Sequence, residues 1–149
     1  MKKFKFSLDK VLVHRKIQID IAQKDFLEAE HMLDVENQNL ENMIQKKEDA
    51  LVQRTGVVQS SVTWANEVNQ INVYLTGQDL RIRKQNERLL ELRKVVESRR
   101  EILQEALTAA KMIERLREKK KQQYFSEVLK EEQKEIDELS VIRFSRTEN

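Results

Sequence analysis

An apolar residue recurs at alternating intervals of three and four positions along almost the entire chain. The first stripe reads Leu8, Leu12, Arg15, Ile19, Ala22, Phe26, Ala29, Leu33, Glu36, Leu40 and Met43. The second reads Val57, Ser61, Trp64, Val68, Ile71, Leu75, Gln78, Ile82, Gln85, Leu89, Leu92, Val96, Arg99, Leu103, Ala106, Ala110 and Ile113. A seven-residue repeat keeps its seam on one side of a slightly underwound helix, and a partner helix must cover it. The pattern describes a rod that binds rather than a pocket that transforms.

Nothing in the chain interrupts such a helix. Its 149 residues contain no proline and two glycines, and 36% are charged while 5% are aromatic. Alanine, leucine, glutamate, lysine, arginine and glutamine all favour helix. The apolar residues suffice for a seam one or two helices deep, not for a globular core. The fold class predicted is all-α, a long two-helix antiparallel coiled coil folded as a helical hairpin. It forms a single elongated domain over 1–149.

Ser7 is placed as the N-cap of the first helix, with Asp9 favourable in its first turn. Arg54-Thr55-Gly56 reads as a stop, because glycine takes the left-handed cap at little steric cost. The β-branched, serine-rich run Val57–Thr63 holds the reversal, and Trp64 beside it packs the turn. This gives helix one over about 7–54, a turn over about 55–62, helix two over about 63–142 and a flexible tail over 143–149. Thr76-Gly77-Gln78-Asp79 offers an alternative turn, but Leu75, Gln78 and Ile82 cross it in phase. At ~1.5 Å per residue the helices span ~70 Å and ~120 Å, so the end of the second overhangs the first.

The net charge of +2 conceals a gradient. Residues 1–75 hold 10 basic and 11 acidic side chains, 80–121 hold 14 and 7, and 127–138 hold 2 and 6. Blocks of this kind select partners of opposite sign and fix orientation. No run approaches the roughly eighteen apolar residues of a membrane span, and Asp9 and Lys10 interrupt any signal-like start. The absence of cysteine excludes a disulfide framework and fits a reducing cytoplasm.

Catalytic chemistry finds no footing. His14 and His31 stand seventeen residues apart with no cysteine, so neither a zinc site nor a base–nucleophile pair is indicated. Carboxylate pairs such as Glu28 with Glu30, and Glu131 with Glu132, lie on a rod with no pocket to perturb them. The glycines occur singly, so no phosphate-cradling loop exists. No enzyme, cofactor or metal is predicted. Tyr124 and Phe125 are too few to make a base-stacking surface beside the basic stretch, which argues against nucleic acid. The seam is too narrow for an amphipathic membrane helix.

The opening Phe4-Lys5-Phe6-Ser7-Leu8-Asp9-Lys10-Val11-Leu12 resembles that of the FliJ family, coiled-coil components of the bacterial flagellar type III export apparatus. So does the run from Lys111 to Arg143, especially Glu132-Gln133-Lys134 and Asp137-Glu138-Leu139. Tyr74-Leu75 with Ile82 and Gln85 is similar to the family's central aromatic-apolar stretch, although Gln78 replaces a usual leucine. The resemblance spans essentially the whole chain. It implies a non-enzymatic hairpin, similar to the central stalk of rotary ATPases, that binds the hexameric export ATPase. It also implies contact with the cytoplasmic domain of the membrane export gate and help in cycling empty export chaperones. The expected location is the cytoplasm, peripherally at the inner face of the membrane at the flagellar base.

The resemblance also gives roles to two clusters. Arg115, Arg117, Lys119, Lys120 and Lys121, with Asp137 and Glu138, are expected to meet the ATPase ring; the bland alternative for the basic stretch is a solvated helix face. Tyr74, Leu75, Gln78, Arg81, Ile82 and Gln85 are expected to meet the export gate, unless Leu75, Gln78, Ile82 and Gln85 are simply seam positions. Arg15, Glu36, Gln78, Gln85 and Arg99 on the seam predict a moderately stable, dynamic free rod, since polar seam residues trade stability for register. Two competing readings remain: the stalk protein of a virulence-type injectisome, and a generic homodimeric coiled-coil spacer.

Overall fold

A computed structural model describes residues 3–60 and 64–148. Two helices account for nearly all of them: α1, Asp9–Ser60, and α2, Trp64–Thr147. Their contacts fall into two units, each built from both helices, where the sequence reading has one domain. Unit 1 comprises Met1–Asp20 with Gln104–Asn149, and unit 2 comprises Ile21–Leu103.

The direction of pairing is antiparallel within each unit. In unit 2, Asp25 meets Arg99, Glu36 meets Gln85 and Arg88, Lys47 meets Asp79, and Arg54 meets Asn72. In unit 1, Asp9 meets Arg117 and Lys16 meets Glu114. As α1 ascends, its partners on α2 descend. The apolar stripes are what close these pairs: every described stripe residue is buried or half-buried except Arg99. The buried apolar set includes Leu12 and Ala110 in unit 1 and Ala22, Ala29, Ala50, Leu75, Leu89 and Val96 in unit 2. Alanine at so many seam positions lets the backbones approach, so the apolar layer is thin.

Helix boundaries differ from the sequence reading in three places. The Leu12 amide donates to the Leu8 carbonyl at 2.9 Å, and that of Asp9 to the Phe6 carbonyl at 3.3 Å. Leu8 therefore holds the N-cap position and Ser7 lies one residue outside it. Next, α1 does not stop at Arg54-Thr55-Gly56 but continues to Ser60. Neither glycine has a positive φ. Thr55 and Ser60 turn their hydroxyls back onto the carbonyls of Leu51 and Gly56, at 3.1 and 2.7 Å. That satisfies the hydroxyls without leaving the helix, and half-buried Arg54 and Val57 carry the seam onward. A helical glycine costs only about 1 kcal/mol, too little to end a helix that is still packing.

The third difference is at the C-terminus, where α2 runs to Thr147 through the expected tail. Ser145 and Thr147 bond to carbonyls of the preceding turn there. The alternative turn at Thr76-Gly77-Gln78-Asp79 is overturned, because α2 passes through it unbroken. Residues 61–63, and the Trp64 side chain expected to pack the reversal, lie outside the described residues.

Candidate partner-binding surfaces

The deepest polar groups lie in unit 2. Gln78 and Gln85, seven residues apart on α2, are 2% and 7% exposed. Their Nε2 atoms donate to the main-chain carbonyls of Met43 and Glu36, each at 2.9 Å. Those two acceptors are themselves seven residues apart on α1, so one heptad repeats the same clasp twice. Gln85 Nε2 also donates to Glu36 Oε2 at 2.6 Å, and Arg88 pairs with Glu36 Oε1 at 3.2 Å. The Gln85 amide is the main cause that holds the Glu36 carboxyl below its ordinary value; Asn39 and Arg88 add to it and desolvation opposes it. On the other side, Arg81 donates to Gln78 Oε1 at 3.3 Å. The buried amides are thus satisfied, as burial demands.

This arrangement divides the residues expected at the export gate. Leu75, Gln78 and Gln85 are buried and Ile82 is half-buried, all turned into the seam against α1. The hairpin's own partner helix uses them, and they are not an outer surface. Tyr74 and Arg81 stay exposed. Tyr74 forms the rim of a shallow groove lined by Lys46, Asp49, Ala50, Gln53, Gln70 and Ile71, opened by the small side chain of Ala50.

In unit 1 the basic stretch stands at the limit of helix pairing. Arg117 reaches Asp9 at 3.4 Å, while Arg115, Lys119, Lys120 and Lys121 are exposed. At 100° per residue these five cations wrap around α2 rather than forming one face. Just beyond, the N-terminal segment folds over the helix: the Phe4 ring lies 5.7 Å from that of Tyr124, which lies 5.6 Å from Phe125. Phe6 is buried. From Leu129 onward every described residue is exposed. Asp137, held by Gln133 at 2.9 Å, and Glu138 stand on this bare stretch, about 24 Å along α2 from Lys121 at ~1.5 Å per residue. The basic and acidic residues expected to act together are therefore separate patches.

Three features escaped the sequence reading. One is the aromatic clasp of Phe4 on Tyr124, hinted at only by alternation in Phe4-Lys5-Phe6. The second is Arg100 above the Phe26 ring, 5.7 Å from its centre. The third is the apolar content of the bare stretch: Phe125, Leu129, Ile136 and Leu139 are 49%, 65%, 56% and 61% exposed. Among the described residues no group of three His, Cys, Asp or Glu could hold a metal, and no helix is long and apolar enough to cross a membrane.

The sequence profile of the flagellar FliJ protein matches residues 4–149. The chain belongs to the FliJ family. No curated protein matches the sequence. Among solved structures, a YscO homologue from Chlamydia trachomatis is similar in fold, with a TM-score of 0.76 and 94% of each chain covered. The two are 18% identical. For a FliJ-family chain, the geometry divides cleanly into a self-paired seam and a bare end of α2. FliJ-family proteins are components of type III export machinery without catalytic activity of their own.

Proposed function

We propose that this chain is the stalk-like subunit of a bacterial flagellar type III export apparatus. In this reading the bare end of α2 and the basic residues Arg115–Lys121 enter the hexameric export ATPase. Exposed Tyr74 and Arg81 face the cytoplasmic domain of the export gate, and the protein assists the cycling of export chaperones. It works in the cytoplasm, peripherally at the membrane. The ATPase supplies the chemistry. The stalk supplies asymmetric contacts, which favour one state of a ring subunit only by binding that state better than the others.

The observation that carries this reading is the family match over residues 4–149 together with a C-terminal stretch that α1 leaves uncovered. Exposed cations at the base of that stretch suit an acidic ring lining, where charge sets orientation and association rate. The test is co-purification with the cognate export ATPase and measurement of its hydrolysis rate. Replacing Arg115, Arg117, Lys119, Lys120 and Lys121 by glutamate should weaken binding while preserving helicity. Unchanged affinity removes the cationic contact from the proposal. Failure of the wild-type chain to bind or stimulate the ATPase removes the stalk role.

A further inference from the structure

Residues 3–8 precede α1 and alternate in exposure: Lys3, Lys5 and Ser7 are exposed, Phe4 and Leu8 half-buried and Phe6 buried. A period of two belongs to an extended segment with one face turned inward. Asp9, the first residue of α1, already stands level with Arg117, so α1 itself reaches no further along α2. The Phe4 ring nevertheless lies against Tyr124, two turns beyond Arg117. Tyr124 and Val128 are half-buried there, while Leu129 is bare. The segment is a strap laid over α2 past the end of the helix pair.

The surface beneath the strap is part of a larger one. Phe125, Val128, Leu129 and Glu132 stand at i, i+3, i+4 and i+7, the corners of a socket that takes a knob from a facing helix. Lys121, Tyr124, Phe125 and Val128 form a socket four residues earlier, and Glu132, Glu135, Ile136 and Leu139 one seven residues later. At 100° per residue the centres of all three fall within about 40° of one another around α2. A helix docked along that line would use all three. The strap lies over the earliest, covers the Val128 wall of the next and leaves the last open.

We infer that residues 3–8 are a displaceable lid, which must leave Tyr124 and Val128 before a partner helix can seat along the end of α2. An extended strap holds this place less firmly than a helix would. Its inward face offers two aromatic rings, and its backbone makes no backbone hydrogen bond to α2 among the described residues. A segment so held opens locally without disturbing the hairpin. The lid regulates the same end of α2 that the proposed stalk role offers to the ATPase, and in that respect rests on it. The cover itself is tested on the chain alone.

The natural absence of cysteine makes the cover measurable. In the full chain, Val128→Cys should react with a thiol reagent at least ~threefold more slowly than Leu129→Cys. Adding Phe4→Ala should raise the Val128→Cys rate at least ~threefold and leave the Leu129→Cys rate unchanged, with helicity by circular dichroism held constant. A Val128→Cys rate that ignores Phe4→Ala, or that moves together with the Leu129→Cys rate, overturns the lid. Lys5→Cys with Lys120→Cys, bridged within one molecule by a flexible bismaleimide, pins the strap from the side away from the docking line. The bridged chain should bind the cognate export ATPase at least ~tenfold more weakly than the same chain capped at both thiols with N-ethylmaleimide, because the open form is no longer populated. Phe4→Ala alone should tighten binding. Equal affinity for bridged and capped chains makes the strap a fixed clasp and refutes the lid, and failure of the bridge to form overturns its placement. A wild-type chain that does not bind the ATPase ends the stalk reading instead, and the thiol rates then decide the lid by themselves.

Discussion

Leu89 and Leu90 are neighbours of identical chemistry and opposite fate, 1% and 54% exposed. They test the seam with the side chain held constant. Truncating a fully buried leucine costs about 2–5 kcal/mol, transfer plus residual cavity. Leu89 should fall in the lower half of that range, about 2–3 kcal/mol, because a two-helix layer can close part of the void. Leu90 forfeits only half a side chain's cover, most of it given by its own helix. Alanine also has the better helix propensity by a few tenths of a kcal/mol. Leu90→Ala should therefore cost no more than ~0.5 kcal/mol. The assay is urea unfolding followed by circular dichroism. With a slope of about 2 kcal/mol per molar urea, Leu89→Ala should lower the midpoint by about 1–1.5 M, and Leu90→Ala by less than ~0.3 M. Equal shifts would mean that this face of α2 is not the seam and that the antiparallel register is wrong.

Gly56 and Gly77 are both helical, with open space where a Cβ would stand. Gly56→Ala and Gly77→Ala should each stabilise by about 0.5–1 kcal/mol, read as a raised urea midpoint; a loss at either would restore a turn or cap there. Glu36 is held below the ordinary glutamate value, chiefly by Gln85. Its contribution is therefore complete above the unfolded value and is lost as pH falls through the depressed folded one. Glu36→Gln should flatten the stability profile on that acid limb alone, and an unchanged profile refutes the interaction. Phe4→Ala should free the N-terminal segment from Tyr124, raising amide exchange over residues 4–12 while leaving residues 21–103 unaffected; uniform change would mean that the clasp holds more than its own segment.

The fold was legible because a seam must repeat. Leu12, Leu89 and Val96 fall where a three–four count places them, and any slip would expose them to water. Arg99 is the exception, exposed beside Asp25 at 3.9 Å, since a long cationic side chain can rest its stem on the seam and keep its charged head in water. Gly56 misled because the same residue signals an end only where packing has ceased, and packing is a property of the partner helix. The binding surfaces were less legible for a related reason. Gln78 and Gln85 fit the stripe by position and a partner surface by resemblance, and only the placement of α1 shows that they face inward. Leu129 and Ile136 look like seam by type and have nothing from α1 above them. Which apolar residues remain bare depends on where the other helix begins.

The clasps made by Gln78 and Gln85 bear on how this chain can change over time. Their acceptors on α1 include backbone oxygens, which belong to every residue alike. The side chain at Met43 can be exchanged without deleting the atom that Gln78 grips, whereas either glutamine cannot be replaced without loosening its hold. At that point alignment is entrusted to α2 alone, and position 43 of α1 remains at liberty to drift, whereas Glu36, gripped through its own carboxylate, does not.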